Sequence, residues 1–112
     1  MESTVADIGA VFGALADPVR RRIVAELRAG DATVGELAES IGAGMPAVSK
    51  HLTVLENAGL ISRHREAQWR RCRLEVAAFQ RLQAWLIDYT DLWTGSLDRL
   101  DALLADESGA PS

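Results

Sequence analysis

Two neighbouring runs of the 112-residue chain carry side chains suited to nucleic acid. Residues 46–57 place Lys50, His51 and Thr53 among small residues, and residues 63–73 place Arg63, His64, Arg65, Arg70, Arg71 and Arg73 around Trp69. On a helical wheel of ~100° per residue, Val48, Leu52 and Leu55 share one narrow arc, whereas Pro46, Lys50, Thr53 and Asn57 point the opposite way, with Ala47 and Ser49 on the flanks. A helix with an apolar back and a small, polar and basic front fits a major groove, which is about 12 Å wide. Standing alone, the same pattern describes any solvated helix face. Three neighbours favour the groove: a capped helix before it, a glycine turn, and the arginine-rich hairpin after it.

Charge is distributed accordingly. The chain carries 12 Lys and Arg against 16 Asp and Glu, a net −4 that by itself weighs mildly against a nucleic-acid partner. Residues 45–73, however, hold six basic against two acidic side chains, and residues 74–112 hold two against seven. The positive segment lies where phosphates would be met, since phosphate contacts supply most sequence-independent affinity. The alternative, that these arginines only keep a hairpin soluble, stays open.

Other chemistries find little purchase. No Ser/His/Asp set, carboxylate pair or glycine-rich phosphate loop stands in a credible site, so no enzyme is expected. One cysteine and two histidines are too few for a metal centre, and no cofactor is expected. Cys72 has no cysteine partner; strand alternation puts it with Leu74 on the inward face, opposite Arg71 and Arg73, as a structural thiol rather than a redox sensor.

The elements that position these residues follow from punctuation. Val5, Ile8, Phe12 and Leu15 mark a first helix, which Asp17-Pro18 ends while capping a second that carries Val19, Ile23, Val24 and Leu27 up to Gly30. Thr33 and Glu36 form a capping box for a short third helix, Gly42-Ala43-Gly44 is a turn, and Pro46 opens a fourth helix that Ala58-Gly59-Leu60 closes. Two short helices about a glycine turn are the helix-turn-helix pattern. Residues 60–74 change to a period near two, with Glu66-Ala67-Gln68 as hairpin tip, and beyond Val76 a helical period continues to Leu104 without a proline. With 48% hydrophobic and 25% charged residues, one soluble domain is expected over residues 1–105, with a flexible tail over 106–112. The longest stretch free of acidic residues, Lys and Arg, residues 40–49, is too short for a membrane span, and no basic-then-apolar leader opens the chain, so a cytoplasmic protein is expected.

The runs Phe12-Gly-Ala-Leu-Ala-Asp-Pro-Val-Arg-Arg-Arg-Ile-Val, Val34-Gly-Glu-Leu-Ala and Pro46-Ala-Val-Ser-Lys-His-Leu-Thr-Val-Leu-Glu-Asn-Ala-Gly-Leu-Ile61 resemble the ArsR-type winged helix-turn-helix repressors of bacteria. The resemblance spans roughly residues 5–104. It implies a mainly helical fold with a small β-hairpin, and a homodimer that occupies double-stranded operator DNA and leaves it when an effector, unknown here, binds. It places Ser49, Lys50 and Thr53 on the recognition helix and Arg70 and Arg71 on the wing, and His51 matches a characteristic histidine of the family. With Ala47 and Arg63 these make the expected DNA-binding set. Gly44-Met45 departs from the Ser-Gln the family often carries there. Metal-sensing members carry a Cys-x-Cys pair where this chain has Thr33 and Gly35, and others use ligands on a last helix that here holds no histidine. The alternative function is a winged-helix protein-interaction module without DNA.

The last helical segment shows a stripe of Trp85, Tyr89, Trp93, Leu97, Leu100 and Leu104, more than a small domain's core readily covers. Together with Val5, Ile8 and Phe12 of the first helix it predicts a dimer interface with a second copy, through the first and last helices. A wholly intramolecular core is the other reading.

Overall fold

The computed structural model describes the backbone of residues 3–109 and the side chains within that range other than those of residues 3–7, 95–98 and 106–109. Along it run α1 (Ser3–Ala14), α2 (Pro18–Ala29), β1 (Ala32–Thr33), α3 (Val34–Ile41), α4 (Met45–Asn57), β2 (Ile61–Glu66), β3 (Trp69–Leu74), α5 (Val76–Ile87) and α6 (Asp91–Gly109). The chain divides into two compact units, Met1–Leu82 and Gln83–Ser112.

The first unit begins and ends its helices where the sequence predicts. Asp17 Oδ1 accepts from the amides of Val19 at 2.7 Å and Arg20 at 3.1 Å, capping α2. At α3, Thr33 Oγ1 accepts from the Glu36 amide at 3.1 Å, and Glu36 Oε1 accepts from the Thr33 amide at 2.8 Å. Gly59, at φ 80°, closes α4: its amide donates to Glu56 O, and that of Leu60 donates to Leu55 O, both at 3.0 Å. Leu55 and Leu60 are fully buried, which supplies the apolar contact of this closure.

Val48, Leu52 and Leu55, the predicted back of α4, lie within a core shared with Val11, Ile23, Leu37, Ile61, Cys72 and Ala78. Burying each large side chain stabilises the fold by roughly 1.5–3 kcal/mol before chain entropy is counted. Among the described side chains of α1, Val11 and Ala14 are buried, whereas Phe12 is exposed and Ile8 half-buried. The sequence assigned Ile8 and Phe12 to an interface with a second copy, and a different face supplies this core. α1 is apolar around most of its circumference, so spacing alone does not select which side meets the core.

The strands form an antiparallel sheet in the order β1-β3-β2, with Thr33 opposite Arg71, Arg63 opposite Cys72 and Glu66 opposite Trp69. That last pair narrows the expected three-residue tip to Ala67-Gln68, with Ala67 at φ 56°. At two residues, β1 is too short to leave a period in the sequence. The amide of Glu75 donates to Leu60 O at 2.8 Å, closing the base of the hairpin.

Near the second unit the sequence is corrected. Rather than one helix through Leu104, the chain breaks between α5 and α6 at residues 88–90. Here the amides of Tyr89 and Thr90 donate three residues back, to Leu86 O at 2.9 Å and Ile87 O at 3.1 Å, and the Thr90 hydroxyl also donates to Ile87 O at 2.8 Å. Asp, Tyr and Thr are indifferent helix formers, and a hydroxyl that takes a backbone carbonyl competes with the helical ladder. α6 then runs to Gly109, so residues 106–109 are helical in backbone where a flexible tail was expected; residues 110–112 lie outside the described residues.

Candidate nucleic-acid interface

α4 presents Met45, Pro46, Ala47, Lys50, Thr53 and Asn57 to solvent, with Ser49 half-buried at the edge. This is the predicted front, held outward because the opposite stripe is fixed in the core. Its parts are not equivalent. Thr53 Oγ1 donates to Ser49 O at 3.1 Å and accepts from Arg63 Nη2 at 3.1 Å. The same guanidinium reaches Ser49 O at 3.4 Å and sets Nε 3.4 Å from Glu56 Oε1, leaving the side chain 11% exposed. Ser49, Thr53 and Arg63 therefore form one cluster that ties β2 to α4.

His51 is half-buried and its Nδ1 lies 3.3 Å from Arg20 Nη1. A guanidinium only donates, so Nδ1 accepts and the ring proton is assigned to Nε2. Arg20 also donates from Nε to Ala14 O at 2.7 Å and from Nη2 to Gly13 O at 3.3 Å. Its neighbours Arg21 and Arg22 donate to Leu15 O and Ser40 O, each at 2.8 Å. These three consecutive arginines serve chain carbonyls at and beyond the ends of α1 and α3, where cations are favoured. The sequence reading assigned them no role.

On the hairpin, Arg71 pairs with Glu66 at 3.1 Å, and Arg73 holds Asp31 Oδ2 through Nε and Nη2, both at 3.0 Å. The hydrogen bond and the carboxylate charge push the Arg73 guanidinium further above its ordinary value. The side chains of Arg65 and Arg70 are exposed and make no hydrogen bond or ion pair among the described residues, and the same is true of the Lys50 side chain. Cys72 is fully buried, and that burial pushes its thiol up. Asp17 is held below the usual carboxylate range chiefly by the Arg20 amide, and Glu36 chiefly by the Thr33 amide.

Ser62, His64 and Glu75 also meet. The Ser62 hydroxyl donates to Glu75 Oε2, and His64 Nε2 lies 2.9 Å from the same oxygen of Ser62. A hydrolytic triad sets the imidazole between hydroxyl and carboxylate; here the hydroxyl is in the middle. Among the described residues no three His, Cys, Asp or Glu side chains stand together as metal ligands. At the positions of the Cys-x-Cys pair, the Thr33 hydroxyl is engaged in its cap and Gly35 has no side chain.

Of the expected interface residues, Phe12, Tyr89, Trp93 and Leu100 are exposed, Ile8 is half-buried, and the side chains of Val5 and Leu97 lie outside the described ones. Leu92 and Leu103 add to the exposed apolar surface of α6. The Trp85 and Tyr89 rings meet at a tilt of 41° with a centroid distance of 4.7 Å. No described helix is long and apolar enough to cross a membrane.

A family model described as a helix-turn-helix domain matches residues 15–64. The transcriptional repressor SdpR of Bacillus subtilis is 37% identical over 79 residues, covering 70% of this chain and 88% of that protein. Among solved structures, a crystal structure of an ArsR family transcriptional regulator shares 38% identity at a TM-score of 0.71, covering 79% of this chain and 91% of that one. The homodimeric winged helix-turn-helix DNA-binding domain from Mycobacterium bovis, described as a possible ArsR-family regulator, is 26% identical at a TM-score of 0.60, covering 80% and 82%.

Proposed function

Since the chain belongs to the ArsR family of winged helix-turn-helix transcriptional regulators, we propose that it is a repressor that binds a pseudo-palindromic operator as a homodimer, in the cytoplasm. α4 enters the major groove, with Lys50 and Ala47 at the bases or adjoining phosphates, and Arg70 and Arg71 of the wing meet the flanking backbone. The observation that carries this reading is the division of α4 into a fully buried stripe and an exposed basic front beside the uncommitted Arg65 and Arg70. One domain of this size offers one recognition helix. Two copies set about 34 Å apart read successive grooves.

Arg63 and Thr53 take a different part. Their mutual hydrogen bond and the Ser49 carbonyl engage the Thr53 hydroxyl and Arg63 Nη2, so they set the angle between wing and recognition helix. His51, facing Arg20, likewise steadies α4 and keeps only Nε2 for an outside partner.

A second copy covers the exposed apolar residues of α6, Trp93 and Leu100 among them, and those of α1. The homodimeric state of the Mycobacterium bovis domain supports this reading, as does the exposure of Leu92, Trp93, Leu100 and Leu103 along the single helix α6.

The test is retardation of the DNA upstream of the protein's own gene across a salt series. Affinity should fall with a log-log slope of about −0.9 per phosphate neutralised. Absence of retardation, or a slope near zero, overturns the DNA reading in favour of a protein-interaction module.

A further inference from the structure

Beside the DNA-facing residues lies a cleft of about 410 Å³ whose walls are Thr33, Val34 and Gly35 at the start of α3, Met45 at the start of α4, and Trp69 and Arg70 on the wing. Its existence follows from the sheet: pairing Thr33 with Arg71 brings the start of α3 up against β3. Three of the six lining residues are large and apolar, and Met45 and Trp69 remain more than half exposed. Thr33 Oγ1 accepts from the Glu36 amide, which turns an acceptor of this hydroxyl to the cap of α3 and leaves its O–H as a neutral donor at the edge of the cleft. The one charge is Arg70, which no carboxylate answers among the described residues, although Arg71 and Arg73 beside it each hold one.

An apolar slot of ordinary ligand size with one unanswered guanidinium selects a compact molecule with an apolar body and a single anionic end. A flat ring suits it best, since it can lie on the Trp69 indole and against the Met45 thioether. The geometry points to a binding site for a small aromatic monocarboxylate, its ring between Val34, Met45 and Trp69 and its carboxylate on Arg70. A regulatory consequence rests on the function proposed above: the carboxylate and a DNA phosphate compete for the same guanidinium, so the acid weakens operator binding.

The probe is 1-naphthoate, with the uncharged 1-naphthalenemethanol as its control, titrated into the full chain by calorimetry. One saturable site per chain is expected, with the acid preferred by about tenfold, as a charge-assisted hydrogen bond implies. Arg70→Gln should erase that preference and leave the alcohol unaffected, and Met45→Glu should weaken both probes. Arg70 and Met45 are exposed, so neither change threatens the fold, which an unaltered melting curve verifies. No saturable binding, or binding indifferent to both substitutions, overturns the site; the second result would place the probe on the apolar surface of α6 instead. In parallel, 1-naphthoate should reduce DNA affinity for the parent chain and not for Arg70→Gln, and binding of the acid with no effect on DNA overturns the competition. Should the chain fail to bind DNA at all, the calorimetric result still decides the cleft on its own.

Discussion

An arginine in a basic hairpin can meet a phosphate or a neighbouring side chain, and the consequences differ measurably. Arg63 is occupied by Thr53, Ser49 and Glu56, whereas Lys50 and Arg70 have no partner among the described residues. Lys50→Ala and Arg70→Ala should each make the salt slope of DNA binding shallower by about 0.9 per protomer, because each removes one phosphate neutralisation. Arg63→Gln should weaken binding by about tenfold through loss of a positioning bond while leaving the slope unchanged. A slope that falls for Arg63→Gln as well would put that guanidinium on the DNA. Two carboxylates make a prediction about acid. Asp17 and Glu36 titrate below their ordinary values of 3.8 and 4.5 in the folded chain, so the unfolded chain takes up protons first as pH falls. Their contribution is complete above about pH 4.5 and disappears as pH drops through the depressed values. An Asp17→Asn, Glu36→Gln variant, followed by circular dichroism, should therefore show a flatter acid limb than the parent.

At the scale of elements, local chemistry was legible wherever a side chain acts on its own backbone. Asp17-Pro18, the Thr33 and Glu36 box, and Ala58-Gly59-Leu60 each declare a helix end within four residues, and all three are found in place. Long-range partners were not legible. Nothing in the spacing of Arg63 announces Glu56 or Thr53, and nothing in the run Arg20-Arg21-Arg22 announces the carbonyls it serves, because the first pairings exist only once β2 meets α4 and the others only once α2 has folded against α1 and α3. The break at residues 88–90 was missed because neither proline nor glycine marks it; a threonine hydroxyl and three-residue turns do the work instead. Two glycine-related substitutions test the turns. Gly59→Ala forces a side chain to φ 80° and brings its Cβ within 3.1 Å of Arg81 Nη2, and should cost about 1–2 kcal/mol in urea denaturation. Ala67→Gly relieves the positive φ at the wing tip and should stabilise by up to about 1 kcal/mol.

For the whole molecule, the charge total of −4 proves the wrong quantity, since basic and acidic side chains are segregated along the chain. The acidic, apolar α6 contributes no DNA contact in the proposed arrangement and serves the second copy instead. Trp93→Asp combined with Leu100→Asp should halve the mass seen by light scattering and abolish high-affinity operator binding, with the helix content of the chain retained. A mass still at the dimer value would reject α6 as the interface. Lys50→Ala should leave that mass untouched, which separates loss of reading from loss of pairing.

Cys72 has a use apart from packing. It is the chain's one cysteine, it lies fully buried on the central strand of the sheet, and burial holds it as a thiol. Alkylation must therefore wait for β3 to lift from the helical core that covers its inward face, so under mild conditions its rate reports how often the sheet leaves that core, separately from global unfolding. The protein thus carries an internal clock for its own wing, which anything that clamps the hairpin, DNA included, should slow.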